Sequence, residues 1–150
     1  LVGKTNGKLF NEGIDDYAKR IGHYTPFAVK VLPELKSTKS LSESQQKDKE
    51  GKMILKSISP SDFVVLLDEH GTEYRSMEFA KWIEKRRNGG RDLVFVIGGP
   101  YGFSPDVYNR ADALISLSRM TFSHQMVRLI FVEQLYRACT IIKGEPYHHE

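Results

Sequence analysis

The sequence is poor in cysteine, with Cys139 as the one thiol among 150 residues. A single thiol cannot close a disulfide within the chain, which fits a reducing compartment. Long apolar runs are absent too, since stretches such as LVFVI and LIFV are far too short to cross a bilayer. No signal peptide is recognisable. We therefore expect a cytoplasmic protein without a membrane segment.

The charge balance of the chain rules out few classes of partner. The formal net charge is +3, so the chain is mildly basic and compatible with an RNA partner. Hydrophobic residues make up 40% of the sequence, which is typical of a globular chain, and the length suits one core. We predict a single domain over residues 1–150, with a first strand that the sequence contains only in part.

Stretches with strand character alternate with stretches with helix character. Residues 63–68 and 93–97 are continuously apolar, as strands are when a parallel sheet buries them on both faces. Residues 113–118 predict a third strand, residues 27–32 alternate like a half-covered strand, and Leu1-Val2 is a strand remnant. Five strands alternating with helices predict an α/β fold with a parallel sheet.

Five helices are predicted between and after the strands. Serine caps and glycine stops mark several of their ends. The predicted helices lie near Asn11–Ile21, from Ser40 or Ser42 to Ile58 with a capping box to Glu43 or Gln45, from Ser76 to Gly89, from Ser104-Pro105 onward, and from about Ser123 to Ile142. The last helix is apolar nearly all round between Met126 and Leu135, so we expect burial on more than one side and a homodimer interface there.

The loops at the carboxyl ends of parallel strands are the default ligand site. Three loops qualify, at residues 66–71, 97–102 and 116–125, and we expect them to share one pocket. The second, IGGPYG, matches neither Gly-x-Gly-x-x-Gly nor a loop that ends in Gly-Lys-Ser/Thr. Its glycines let a flat ligand approach the backbone closely, although ordinary strand-to-helix turns are also rich in glycine.

The third loop and the residues after it carry side chains that suit a binding site. Met120 and Phe122 predict either a loop tucked into the core or the wall of an apolar pocket. Ser123 is a candidate cap for the final helix, whose N-terminal amides favour an anion. His124 and Arg128 are spaced to share one helical face; the alternatives are a histidine bonded to the backbone and a solvated arginine.

The tail that follows Gly144 holds Tyr147, His148 and His149. Such a tail is either frayed or folded over a pocket, where it brings Tyr147 and His148 to a substrate. No cluster of carboxylates or thiolates accompanies the histidines, so we predict no metal site.

Several stretches together carry a likeness to a known family. VFVIGGPYG, SLSRMTFSHQMVRLIFVEQLYRA and GEPYHHE, with the Gly-Lys at 3–4 and the Leu-Asp-x-x-Gly at 67–71, resemble the RlmH (YbeA) family of SPOUT methyltransferases over essentially the whole chain. The resemblance implies S-adenosylmethionine as cofactor, a homodimer, and a trefoil knot in the C-terminal half. It also implies the substrate, N3 of a pseudouridine in the 23S rRNA of the large subunit, met on the assembled ribosome or as free rRNA.

Carried over position by position, the resemblance also implies the site residues. The cofactor is expected to contact Leu67, Gly98 and the loop residues Leu117, Ser118, Arg119, Met120, Thr121 and Phe122. From their chemistry, Tyr147 and His148 are expected to meet the substrate base, and Arg119 and Arg128 are candidates for contacts with its phosphates. A neutral histidine is the natural acceptor for the N3 proton near pH 7, so His148 and His124 are the candidates, with Tyr147 orienting the base. The family has a basic residue where this chain has His149, so a phosphate contact there stays open.

Two other interpretations remain. One is an RNA-binding module of the same fold that lacks catalysis. The other is a nucleotide-binding α/β protein of another kind, which is disfavoured because no phosphate-binding lysine follows the glycine loop.

Overall fold

The computed structural model describes residues 1–36 and 38–149. Helices and strands alternate along much of this range, as the sequence predicts. The helices are α1 (Lys8–Gly22), α2 (Glu43–Lys56), α3 (Ser76–Arg87), α4 (Pro105–Arg110) and α5 (Met126–Lys143), and the strands are β1 (Phe63–Glu73), β2 (Leu93–Val96) and β3 (Ala113–Ser116). A short 3-10 turn, Thr38–Ser40, precedes α2.

The chain divides into two compact units, and each unit is assembled from three separate stretches of sequence. The first unit comprises Leu1–Lys4, Lys30–Thr72 and Arg91–Ser116, and the second comprises Thr5–Val29, Glu73–Gly90 and Leu117–Glu150. Both units therefore depend on contacts between residues that are far apart in the chain. The single domain over residues 1–150 stays a prediction.

The sheet of the first unit confirms the α/β prediction. Its strand order is β2-β1-β3, and β1 pairs with β2 in parallel, from Phe63 opposite Leu93 to Leu66 opposite Val96. Val64, Val65 and Leu66 are fully buried, as a continuously apolar strand predicts.

The prediction of five strands is wrong at residues 27–32. This stretch forms no strand: only Leu32 makes a bridge, in parallel, to Val2. The bridge rests on two backbone hydrogen bonds, from Gly3 N to Leu32 O and from Leu32 N to Leu1 O, both 2.8 Å long. Val29 and Val31 remain 39% and 45% exposed, because no described neighbour covers the face on which they alternate.

The first unit buries one apolar cluster between its strands, α2 and α4. The buried members of this cluster are Val2, Ile54, Val64, Leu66, Val96, Phe103 and Val107. Helix α2 begins at the predicted capping box with Ser42: its Oγ accepts from Gln45 N at 3.1 Å, and Gln45 Oε1 accepts from Ser42 N at 2.9 Å. The alternative box at Ser40 is not used.

Serines also mark two further predicted helix starts, and one of them is confirmed. Ser104 caps α4, because its Oγ accepts from Val107 N at 3.4 Å and Pro105 follows at the first helical position. Ser76 is the first residue of α3 and not its cap. Its Oγ instead donates to Gln134 Oε1 of α5 at 3.0 Å, so this serine links two helices.

Helix α5 is the centre of the second unit, where it packs against both α1 and α3. Its buried apolar residues are Phe131, Val132, Leu135, Ala138 and Cys139. Burial on more than one side is thus confirmed, but neighbours within the chain provide it. Among the helices that the structure describes, none combines the length and apolar character needed to span a membrane.

Gly71 provides a test of the first unit's packing. A Cβ at this position would come within 2.6 Å of the backbone of Ile115, closer than any real contact allows. We expect Gly71→Ala to lower the free energy of unfolding by about 1–3 kcal/mol, the usual cost of overpacking. Urea unfolding measures the change. Gly22→Ala is the control, since a Cβ there meets nothing within 4 Å; equal stability of the two variants would contradict the prediction.

Candidate functional site

The glycine loop follows β2 and belongs to the first unit. A Cβ on Gly98 would lie 2.9 Å from Phe103 Cε1, and one on Gly99 would lie 3.0 Å from Glu50 Oε2. The packing of the unit itself thus leaves no room for a side chain at 98, whereas at 99 the end of the Glu50 side chain would have to shift slightly. Gly102 is favoured for another reason: its φ is +80°, a backbone angle that residues other than glycine rarely adopt. A bulky residue at 98 would collide with Phe103, so it would disturb the fold as well as any ligand.

Glu50 of α2 is a buried carboxylate beside the glycine loop. It is 6% exposed, and its Oε1 accepts a long hydrogen bond of 3.5 Å from Gln46 Nε2. Burial raises the pKa of Glu50, while the bond from Gln46 lowers it to a smaller extent. Sequence reasoning missed this residue, because it stands in the polar half of α2, where a carboxylate is expected to be solvated.

The prediction of a loop at residues 66–71 is wrong, because β1 continues through this stretch to Glu73. Asp68, which follows Leu67 in the strand, is the centre of a group of hydrogen bonds. The Asp68 carboxylate accepts from the Tyr108 hydroxyl, from His70 N at 2.8 Å, and lies 3.0 Å from His70 Nδ1. Burial alone would raise the pKa of Asp68, but the bonds from Tyr108 and His70 lower it overall. Burial and the bond to Asp68 raise the pKa of Tyr108 to about 12. Leu67 is half-buried at this position.

The loop from Leu117 to Phe122 belongs to the second unit. Ser118 Oγ accepts from Met120 N at 2.9 Å, which closes a tight turn. Met120 is 77% exposed, so its side chain is not tucked into the core. Arg119 and Thr121 are exposed as well. The loop thus presents an apolar side chain and backbone groups at the surface of its unit.

The final helix begins later than predicted, which changes the expected geometry of His124 and Arg128. Helix α5 starts at Met126, so His124 lies in the preceding turn, where it is exposed. The predicted cap, Ser123, does not occupy the N-cap position, which is held by Gln125 without a side-chain cap. Ser123 Oγ instead accepts from Met126 N at 3.1 Å and closes the turn before the helix. Arg128 is 1% exposed, and its Nη1 donates to Thr5 Oγ1 at 2.9 Å. Its guanidinium thus faces the interior of the unit, which does not favour the predicted contact with substrate.

The tail is folded onto its unit and is not frayed. Gly144 ends α5 with φ +74°, and Glu145 N donates to Thr140 O at 2.9 Å. The Tyr24 hydroxyl donates to the Glu145 carboxylate, and this bond, with burial, raises the pKa of Tyr24 to about 12. The ring of Tyr147 packs edge-on against Tyr136, with centroids 4.8 Å apart.

Two residues of α5, Glu133 and Arg137, hold the end of the tail. Arg137 Nη2 donates to Glu133 Oε1 at 2.7 Å, and the Tyr147 hydroxyl donates to the same oxygen at 3.1 Å. Arg137 Nη1 lies 3.1 Å from His148 Nδ1. Burial raises the pKa of Tyr147, with hydrogen bonds to Tyr17 and Glu133 adding to the effect. The spacing in the sequence indicates a Glu133–Arg137 pair, but not the tail that the pair contacts.

The predicted site residues therefore fall into two groups. Leu67 and Gly98 belong to the first unit. The second unit holds residues 117–122, His124, Arg128, Tyr147 and His148. Among residues 1–36 and 38–149, no group of three or more His, Cys, Asp or Glu side chains is arranged to hold a metal ion.

The amino-acid sequence of the chain matches a known protein family. The chain belongs to the SPOUT methyltransferase family, because the family model described as "Predicted SPOUT methyltransferase" matches residues 1–148.

Similar proteins extend over the whole chain. It is 59% identical to the ribosomal RNA large subunit methyltransferase H of Phocaeicola vulgatus and 56% identical to that of Parabacteroides distasonis, in each case over 100% of this chain and 96% of the relative. The protein of the same name from Flavobacterium johnsoniae is 53% identical over 99% of this chain and 96% of the relative.

Glu50 gives a test in which pH decides the outcome. Because folding raises the pKa of Glu50, the folded protein favours the protonated acid. The contribution of Glu50 to the free energy of unfolding is therefore most favourable at low pH. It is lost as the pH rises through the pKa that Glu50 has in the folded protein. Glu50→Gln should therefore stabilise the protein at pH 7 by on the order of 1 kcal/mol, and the gain should vanish below the ordinary pKa of 4.5.

Thermal unfolding at the two pH values measures the effect. Glu43→Gln, at the exposed start of the same helix, is the matched control and should bring no gain. A lower melting temperature for Glu50→Gln at pH 7 would show that the charged carboxylate stabilises the fold.

Proposed function

We propose that this protein is an S-adenosylmethionine-dependent methyltransferase that methylates N3 of a pseudouridine in the 23S rRNA of the large ribosomal subunit. The observation that carries the proposal is the full-length similarity to proteins named ribosomal RNA large subunit methyltransferase H, at 53–59% identity. The proposed substrate is the assembled ribosome. The proposed site of action is the cytoplasm, and the active form is a homodimer with a knotted C-terminal half.

The loop from Leu117 to Phe122 fits the adenosine part of the proposed cofactor. Adenine is bound by apolar contact together with a few polar backbone groups. The exposed Met120 side chain offers the apolar contact, and the turn that Ser118 closes presents the polar backbone groups. In the first unit, we assign the backbone of the glycine loop at Gly98 and the side chain of Leu67 to cofactor contacts. When bound, S-adenosylmethionine supplies a methyl group on a positively charged sulfur.

The tail is assigned to the RNA base. Tyr147 offers an aromatic face, and the docked position of the tail removes the entropy cost of ordering it when substrate binds. N3 of the base carries a proton that must leave before or during methyl transfer. His124 and His148 are the two imidazoles considered for this step. Among the cationic side chains, the exposed Arg119 suits a phosphate contact better than the buried Arg128.

The second candidate function is an RNA-binding module of the same fold without catalysis. Incubation of the purified protein with ribosomes and S-adenosylmethionine labelled in its methyl group separates the two. We expect label in 23S rRNA, at a nucleotide that mass spectrometry identifies as N3-methylated pseudouridine. Binding of ribosomes without any transfer by the full chain would favour the second function.

A chain that ends at Gly144 should fold and bind the cofactor, yet transfer at least about 10²-fold less label.

Ser118 and Ser123 form a matched pair for the cofactor assignment. Ser118→Ala should loosen the turn at Met120 and lower the affinity for S-adenosylmethionine by up to about tenfold, the effect of one lost hydrogen bond. Ser123→Ala should leave the affinity unchanged and lower stability by about 1 kcal/mol through loss of the hydrogen bond from Met126 N. Calorimetric titration and thermal unfolding measure the two effects. An unchanged affinity in Ser118→Ala would remove this turn from the cofactor site.

A further inference from the structure

We propose that Arg137 is a positioning residue which, together with Glu133, clamps the tail on α5, and that His148 anchors the tail instead of accepting the substrate proton. This inference rests on the proposed function, because it concerns which tail atoms are available during methyl transfer.

The clamp is built around one carboxylate oxygen. Glu133 Oε1 accepts from Arg137 Nε at 3.2 Å, from Arg137 Nη2 at 2.7 Å, and from the Tyr147 hydroxyl at 3.1 Å. The guanidinium carbon of Arg137 also lies 4.8 Å from the centre of the Tyr147 ring. The side chains of Glu133 and Arg137 are 19% and 24% exposed, so water screens this pair only in part. The guanidinium is therefore fixed in orientation by the carboxylate and by the ring.

The orientation of Arg137 decides which nitrogen of His148 carries hydrogen. Arg137 Nη1 and His148 Nδ1 are 3.1 Å apart. A guanidinium can only donate hydrogen bonds, so Nδ1 must accept with its lone pair. The neutral ring then carries its hydrogen on Nε2. In this docked tail Nε2 is also shielded from solvent.

A proton acceptor needs an unshared electron pair within reach of the proton. In His148 the pair on Nδ1 is directed to Arg137, and Nε2 already has a hydrogen. His148 in the docked tail therefore cannot take the N3 proton. The exposed imidazole of His124, in the turn before α5, is left as the histidine candidate.

The contacts of the tail give His148 a role other than that of a base, which is to hold the tail in place. The tail is fixed at three points, by Tyr24 to Glu145, by Glu133 to Tyr147, and by Arg137 to His148. The contact of His148 is the nearest of the three to the C-terminus, and it holds the end of the tail on α5. Its loss should weaken the placement of Tyr147 on the base without removing a reacting group.

Substitutions of His148 separate an anchor from a base. His148→Asn keeps an acceptor oxygen near the place of Nδ1 but cannot take a proton at neutral pH, whereas His148→Ala lacks both. We expect the asparagine variant to methylate ribosomes at nearly the wild-type rate and the alanine variant to be about tenfold slower, the effect of one lost hydrogen bond. A base would instead make both variants slower by roughly 10²–10⁴-fold.

Arg137→Lys tests the other side of the contact. Lysine keeps a positive charge beside Glu133 but lacks the planar fork that reaches both partners at once. We expect this variant to match His148→Ala, and the double variant to be no slower than either one, because both changes break the same contact. If the losses of methylation rate in the two single variants multiplied in the double variant, the two residues would act independently, which would contradict the clamp.

Nitrogen NMR of protein with labelled histidine reports the tautomer directly, and His148→Asn assigns the signal. We expect the Nε2–H form in the wild type and a mixture in Arg137→Lys. An Nδ1–H form in the wild type, or an asparagine variant as slow as the alanine variant, would overturn the inference. A wild-type protein that transfers no methyl group to rRNA would refute the proposed function, whereas the NMR result would still decide the clamp.

Discussion

The second unit depends on the burial of one helix from two sides. Helix α5 packs against α1 and α3, and it supplies half of the buried apolar side chains of that unit. The hydrophobic effect fixes the rotation of α5 about its axis, because a turned helix would expose these residues to water. Glu133 and Arg137 therefore face the tail for a reason that lies in the core. The position of Tyr147 follows from the packing of residues that do not touch it.

Local signals are sufficient to predict several elements of the fold. The Ser42 capping box and the Ser104-Pro105 start identify two helix ends because they act within one turn of chain. Residues 63–68 are predictable as a buried strand because a short, continuously apolar run is typical of a strand covered on both faces. Residues 27–32 have an equally good strand pattern, but a strand needs partners on its edges, and the pattern says nothing about their presence.

The candidate site is less predictable, for reasons that individual residues make plain. Glycines at 98 and 99 suggest room for a ligand, but Phe103 and Glu50 occupy the space beside them. Arg128 has the spacing of a surface cation, yet its partner Thr5 is far away in sequence. Whether the tail is frayed or docked depends on Arg137, whose spacing to Glu133 indicates an ion pair but not a third partner. In each case the deciding contact is non-local.

The interleaving of the two units has a consequence for the order in which the chain acquires its structure during synthesis. The first unit takes its N-terminal residues, Leu1–Lys4, together with Arg91–Ser116, so its sheet cannot be completed until about three quarters of the chain exists. The second unit waits longer still, for α5 and the tail. Contacts of such long sequence separation make folding slow. Exposed strand edges must persist meanwhile, which makes the nascent chain a natural client for chaperones.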